Sequence, residues 1–330
     1  MTTVDELQAI NSSLSAHYVL GNDINASETE TWNNGAGFAP IGNNVRHPFS
    51  GNFDGQGYKV DGLYIHRPNT DYVGFFGRVN TTIKNIGVTN LDIQGDTFVG
   101  GLVGFTEGAN IINSFSSGEV SGDDQVGGLV GINKNTKIET SYSNSNVSGN
   151  SDVGGLVGYT RDNSNIYYSY SNSNVSGTSE VGGLVGDTSS SYINKSYSTG
   201  SVTGGFSNVG GLVGSNDEYS TVADSYWNTE TSNQSTSAGS AIGLTTDEMT
   251  GSAAPTNMVG FDFTSEWRTV SASDADSSAD SYPILDSSEE EEAVIVSESS
   301  SEEYGGMSTL VYVALFFVLF SVMVLLLVKD

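Results

Sequence analysis

The sequence predicts an all-β fold, a parallel β-helix (solenoid) with coils of about 27 residues, followed by a C-terminal transmembrane α-helix. Three observations predict it. The stretch Val-Gly-Gly-Leu-Val-Gly occurs at Val99–Gly104, Val126–Gly131, Val153–Gly158, Val181–Gly186 and Val209–Gly214, after a worn copy at Val73-Gly74-Phe75-Phe76-Gly77; the starts lie 26, 27, 27, 28 and 28 residues apart. A period in this range marks a stacked architecture in which each repeat buries its apolar face against the next. Between the copies run short apolar segments separated by Gly, Asn and Ser, and no apolar i, i+3, i+4 pattern persists beyond a turn. Near the C-terminus, Leu310–Val328 holds nineteen residues without a charge. As a helix it spans about 28 Å, close to a bilayer core.

Composition narrows the function classes. The chain carries 11 basic and 39 acidic residues, a net charge of -28, and no cysteine. Nucleic-acid binding needs clustered Lys and Arg against phosphate, so it is excluded. Disulfides and Cys-based zinc sites are impossible. Acid excess over a periodic apolar core fits a high-salt habitat, where screening is strong. Self-repulsion is then expected to weaken folding in dilute buffer.

In chain order, Thr3 followed by Glu6 reads as a capping box, which places a short amphipathic helix at Val4–Asn11 with Leu7 and Ile10 on one face. It is expected to cap the first coil. His17–Ile24 reads as a strand, Trp32–Ile41 as a loop, and Phe49–Ile65 as irregular first coils with tight turns at Asp54-Gly55 and Gln56-Gly57. From Tyr72 to Trp227 the repeats are continuous, and three strands per coil are expected: the glycine motif, an Ile-x-x-Ser-aromatic segment, and a segment ending in Val-Ser-Gly or Val-Thr-Gly. The organisation is therefore 1–71 as N-terminal cap and first coils, 72–227 as solenoid, 228–285 as C-terminal cap, 286–306 as acidic stalk and 307–330 as anchor. Within the cap, Thr246–Gly251 reads as a short helix with Thr246 as N-cap.

Coils of a solenoid stack about 4.8 Å apart, so like residues form ladders. The repeated glycines, Gly100, Gly101 and Gly104, Gly127, Gly128 and Gly131, Gly154, Gly155 and Gly158, Gly182, Gly183 and Gly186, and Gly210, Gly211 and Gly214, are read as structural, giving bends or close backbone approach. The row Phe115, Tyr142, Tyr170, Tyr197 and Tyr226 is read as face packing.

The repeated VGGLVG resembles the GLUG motif of secreted bacterial and archaeal surface proteins, among them filamentous-haemagglutinin-like adhesins and regions flanking the metallopeptidase domain of some IgA proteases. Phe49–Ile65 is similar to the opening segment of such arrays, and Asp224–Asn228 with Gly243–Met249 is similar to their closing segment. The resemblance covers residues 4–285 and implies a right-handed parallel solenoid in a surface or secreted setting, with a haloarchaeal source expected. The protease zinc motif His-Glu-x-x-His is absent, so peptidase activity does not carry over.

No secretory signal is read in Met1–Ile10, and a misplaced start is the expected reason. Lys329 after the apolar run places the short C-terminus in the cytoplasm and the acidic stalk outside. Sequons at Asn11, Asn25, Asn80, Asn146, Asn174, Asn194 and Asn233 are compatible with a glycosylated exterior.

No catalytic constellation, cofactor motif or metal pair is read. His17, His47 and His66 are read as surface residues, with a meeting of His47 and His66 across coils left open. Asp123, Asp124, Asp152 and Glu180 are expected to align as a solvated acidic ridge, at most a weak Ca²⁺ or Mg²⁺ strip. The expectation is a non-catalytic, membrane-anchored surface solenoid that contacts glycans or envelope proteins. Two alternatives stay open: an envelope spike of a halophilic virus or vesicle, and a carbohydrate-active enzyme using an unrepeated carboxylate such as Asp54 or Asp61.

Overall fold

The structure is a computed structural model and describes residues 1–205, 207–269 and 282–286. The repeats wind into a parallel β-solenoid of about six turns, with coils of about 28 residues. Pairing is in register between copies: Val126 with Val153, Ile138 with Ile166, Tyr142 with Tyr170 and Val147 with Val175.

Each coil contributes to four sheets where the sequence suggests three strands. In one coil the strands are Asp124–Gly127, Val130–Lys134, Lys137–Glu139 and Tyr142–Ser148. The extra strand arises because the glycine motif is a corner. Val126-Gly127 ends one strand, Gly128-Leu129 bends, and Val130-Gly131 begins the next. Val126, Leu129, Val130, Ile138 and Val147 point into the core, each at most 1% exposed, and their copies do the same in neighbouring coils. At roughly 25 cal/mol per Å² of buried apolar surface, these stacked rows are the main stabilising contribution.

Where sheets turn, the backbone loses its ladder partners, and buried serines replace them. The Ser114, Ser141, Ser169, Ser196 and Ser225 row is almost fully buried. Each backbone N–H donates to the hydroxyl one coil on, from Ser114 to Ser141 (3.2 Å), Ser141 to Ser169 (3.3 Å), Ser169 to Ser196 (3.3 Å) and Ser196 to Ser225 (3.2 Å). Each hydroxyl in turn donates to a carbonyl two residues back, as Ser141 does to Glu139 (2.8 Å). The row thus satisfies buried polar groups that would otherwise be costly.

At the N-terminus, helix α1 spans Val4–Ala9 and continues as a 3₁₀ turn over Ile10–Ser12. The Thr3 hydroxyl accepts from the Glu6 amide, and the Glu6 carboxylate accepts from the Thr2 amide at 2.6 Å. Val4, Leu7 and Ile10 are buried against the first coil. Ser27–Gly35, expected in part as loop, is 3₁₀-helical with a kink at Trp32–Asn34. Of the residues in the two tight turns, Gln56 (φ 54°) and Gly57 (φ 80°) are left-handed.

The far end does two things. Trp227 closes the core, donating Nε1 to Gln234 O at 3.0 Å, and Ile242–Leu244 adds a last rung beside Tyr226–Asn228. The chain then folds back along the flank. Met249, Ala254, Met258, Phe261 and Trp267 form a second cluster over Tyr170, Tyr197 and Tyr226. Its helix Thr246–Met249 is capped by Thr245, one residue earlier than expected, because Glu248 closes a capping box with Thr245. All but the first residue of the expected stalk at 286–306, and the Leu310–Val328 span, lie outside the described residues. Among the described residues no helix is long and apolar enough to cross a membrane.

Candidate binding surfaces

The motif glycines are set by space. A Cβ on Gly127 would meet Val130 O and the Gly158 amide; one on Gly128 would meet Gly155 O and the Ser143 hydroxyl; one on Gly131 would meet Gly104 O and the Val99 amide. The first two collisions recur at Gly154 and Gly155 and at Gly182 and Gly183; the third recurs at Gly186, while Gly158 meets the Val126 amide and Asp152 O. Left-handed backbone is needed instead just before each motif, at Gln125 (φ 53°), Asp152 (φ 52°), Glu180 (φ 51°) and Asn208 (φ 57°).

These left-handed residues form one wall of a corner. The other wall is the outward row Arg78, Phe105, Ile132, Tyr159, Asp187 and Ser215. The expected ridge is therefore corrected. Asp124 pairs with Ser151, outside the row that holds Asp152 and Glu180. Asp187, which follows the third glycine, joins them. The row is also half-buried rather than freely solvated. Burial raises the Asp152 carboxyl to about 6; a hydrogen bond from Gln125 opposes this, and Asp187, Glu180 and Asp124 add to it. Burial likewise raises Asp187, helped by Glu180 and Asp217. Among the described residues no group of three or more His, Asp or Glu is arranged to hold a metal ion.

Toward the N-terminus the same corner is aromatic. Tyr72 stacks on Phe98 at 4.8 Å, Phe105 meets both edge-on, and the Arg78 guanidinium lies 4.2 Å from the Phe105 ring centre. Sequence reading missed this cluster. Its signal is positional: Tyr72 and Phe98 precede a motif copy, and Phe105 follows one.

The tyrosine row stacks face to face, with centroids 4.7, 4.7 and 5.0 Å apart from Phe115 through Tyr142 and Tyr170 to Tyr197. Tilts of 3°, 3° and 2° leave the inner ring faces occupied by neighbours. Such rings offer edges to a ligand, which is a poor platform for stacking. Their partner is the chain's own C-terminal segment, and the fully buried Tyr197 hydroxyl donates to Pro283 O at 2.6 Å.

On the same sheet a shallow polar groove of about 320 Å³ is lined by Glu119, Asn146, Ser148, Asn174, Ser176 and Ser201. Asn174 donates to Asn146 (3.0 Å), and Asn146 donates to Glu119 (2.7 Å). Two sequon amides are thus engaged, and Asn11 is a third, donating to Ala39 O at 3.3 Å. Asn25, Asn80 and Asn233 are exposed, whereas Asn194 is half-buried.

The remaining candidates are separate. His17 Nδ1 accepts from the Asn52 amide at 3.0 Å, His66 stacks on Tyr64 at 6.2 Å, and His47 is exposed in a different loop. Asp54 sits 3.0 Å from Lys84 and accepts from Asn85 and the Gln56 amide. Burial raises its carboxyl, but those partners outweigh it and hold it below the usual range. Asp61 accepts from Thr89 and Asn90, both at 2.7 Å. Both carboxylates therefore join adjacent coils.

Residues 97–121 match the model of the GLUG motif. Over 114 residues the chain is 37% identical to halomucin of Haloquadratum walsbyi, covering 31% of this chain and 1% of halomucin. Over 75 residues it is 35% identical to a protein of Evansella cellulosilytica named as a Gly-rich membrane protein, covering 21% of this chain and 9% of that one. The chain thus spans a small fraction of the length of either relative. Among solved structures, one named as an immunoglobulin A1 protease from Bacteroides ovatus aligns with a TM-score of 0.66 and 19% identity, over 86% of this chain and 91% of that one. Another, an IgA1 protease, aligns with a TM-score of 0.51 and 18% identity, over 74% of this chain and 20% of that one. At these identities the likeness is one of fold. The matched stretch recurs in structural register from coil to coil, so the chain carries the GLUG motif in a repeated array.

Proposed function

We propose that the chain is a cell-surface β-solenoid with a non-catalytic role in binding or envelope building. Leu310–Val328 serves as its single-pass anchor, with the solenoid outside and Lys329-Asp330 inside. The observation that carries this is the division of labour in each coil. Glycine, aliphatic and buried serine rows are consumed by stacking and the tyrosine row by the C-terminal segment, while Asn, exposed Ser and acidic rows face outward in register. Similarity to halomucin and to a protein named as a membrane protein supports the location. The role needs no cofactor, and its partners are surface glycans or other envelope proteins. Exposed Asn80 and Asn233 are the sequons best placed for glycan attachment.

Protease shaving of intact cells, with detection of the solenoid, tests the location. Loss of the solenoid before lysis is expected. Protection until lysis would overturn the surface reading and turn attention to an intracellular scaffold.

A further inference from the structure

The N-terminal coils hold a cleft lined by unrepeated side chains. It lies between α1 and the segment 32–43, has a volume of about 650 Å³, and is lined by Asp5, Gln8, Asn11, Trp32, Asn33 and Asn43 together with two apolar backbone neighbours. Ligand pockets occupy about 300–1,000 Å³.

Trp32 distinguishes the cleft. Trp227 and Trp267 are buried, whereas Trp32 is half-exposed. Its indole rests against the fully buried Phe38, 24° from parallel with centroids 6.4 Å apart. The backbone that presents it is unusual. Trp32 is extended, Asn33 and Asn34 follow with φ of 53° and 58°, and Gly35 and Gly37 are also left-handed. A run of left-handed residues is unfavourable for L-amino acids, and such conformations cluster where a site is held in place.

The scaffold holding this turn is local. Gln8 exchanges two hydrogen bonds with Ala39, at 2.9 and 2.8 Å. Asn11 accepts from the Gly42 amide at 3.0 Å, and Asn33 donates to Gly37 O at 2.7 Å. Gln8 and Asn11 are thereby committed to shape. Asp5 and Asn43 remain as exposed polar groups on the rim.

This chemistry selects a class of ligand. No lining residue is cationic, and Asp5 repels anions. The polar rim disfavours a purely apolar guest. An aromatic surface beside a carboxylate and an amide suits a neutral molecule with a C–H face and several hydroxyls. We propose that the cleft binds a neutral saccharide, with one sugar ring against Trp32 and hydroxyls on Asp5 and Asn43. The proposal deepens the binding role above but is independent of location, which protease shaving tests separately.

The test is saturation-transfer NMR on the full-length chain in concentrated salt. Probes are methyl β-D-glucoside, methyl β-D-galactoside and methyl α-D-mannoside with their neutral disaccharides, and choline chloride as the rival cation. At least one sugar is expected to bind, and Trp32→Ala is expected to weaken it by roughly tenfold or more. Asp5→Asn and Asn43→Ala, on exposed side chains, should weaken binding severalfold with melting unchanged, which guards against misfolding of the tryptophan variant. No sugar signal at millimolar concentration would overturn the proposal. So would sugar binding that survives all three substitutions, or binding of choline alone.

Discussion

The repeat body and the N-terminal coils solve the same packing problem in opposite ways. In the body, from Tyr72 to Trp227, a side chain's neighbours along the axis are largely copies of itself: valine on valine, serine on serine, tyrosine on tyrosine. In the first coils each contact is individual, as Gln8 with Ala39, Asn11 with Gly42, or Asp54 with Lys84. The body gains regularity and gives up individuality, because a site built in one coil must tolerate copies above and below. Individual chemistry therefore collects where the repeat is broken, at the Trp32 cleft and under the C-terminal segment.

The largest expected effect probes that second place. Tyr197→Ala removes a fully buried ring between Tyr170 and Tyr226 and the hydroxyl bond to Pro283. A loss of about 3–5 kcal/mol is expected, as for other buried aromatic truncations. Tyr142→Ala, on a half-exposed rung, should cost clearly less. Equal losses in chemical denaturation would contradict the view that the C-terminal segment packs on this row.

Within the body, Gly128→Ala forces a methyl group onto Gly155 O and Ser143. Overpacking of this kind costs about 1–3 kcal/mol. The matching change at Gly57, which has open space but a φ of 80°, tests backbone strain without collision. Ser141→Ala should cost a smaller amount, about 1 kcal/mol or somewhat more, because the Ser114 amide loses its acceptor. Ser141→Thr, which keeps the hydroxyl, separates the lost hydrogen bond from general sensitivity of the corner.

A pH experiment distinguishes the half-buried acidic row from a solvated one. The Asp152 carboxyl is raised from 3.8 to about 6, so the folded chain holds its proton more tightly than the unfolded chain does. Its contribution to stability is present at low pH and is lost as pH rises from about 4 through about 6. Asp152→Asn should flatten this part of the melting-temperature profile. An unchanged slope would show that the carboxylate is better solvated than its surroundings indicate. The smallest effect is expected at Asn80: Asn80→Gln, on an exposed side chain, should leave melting unchanged while abolishing any glycan carried there.

Much of the body was legible because spacing and residue type repeat together. The period, the inward valines and the structural glycines all follow from VGGLVG and its intervals. The number of strands did not, because a Val-Gly-Gly-Leu-Val-Gly stretch reads equally as one strand or as two joined at a corner. Left-handed Gln125, Thr140 and Tyr168 were equally invisible, since none belongs to a residue type that favours that backbone. The Asp187 contribution to the acidic row needed the corner to bring two strands together. Trp32 could be read only as part of a loop, because nothing in its local sequence reveals the helix that packs opposite it.

Deletion of one complete coil, Val126–Asp152, tests the central division most directly. It joins Gln125 to Val153 and preserves the left-handed position before the motif. The expected result is a folded, shorter solenoid with native-like far-UV circular dichroism, cooperative unfolding and undiminished binding at the Trp32 cleft. Loss of the fold would contradict interchangeable coils. Loss of binding in a folded variant would contradict a site confined to the N-terminal coils.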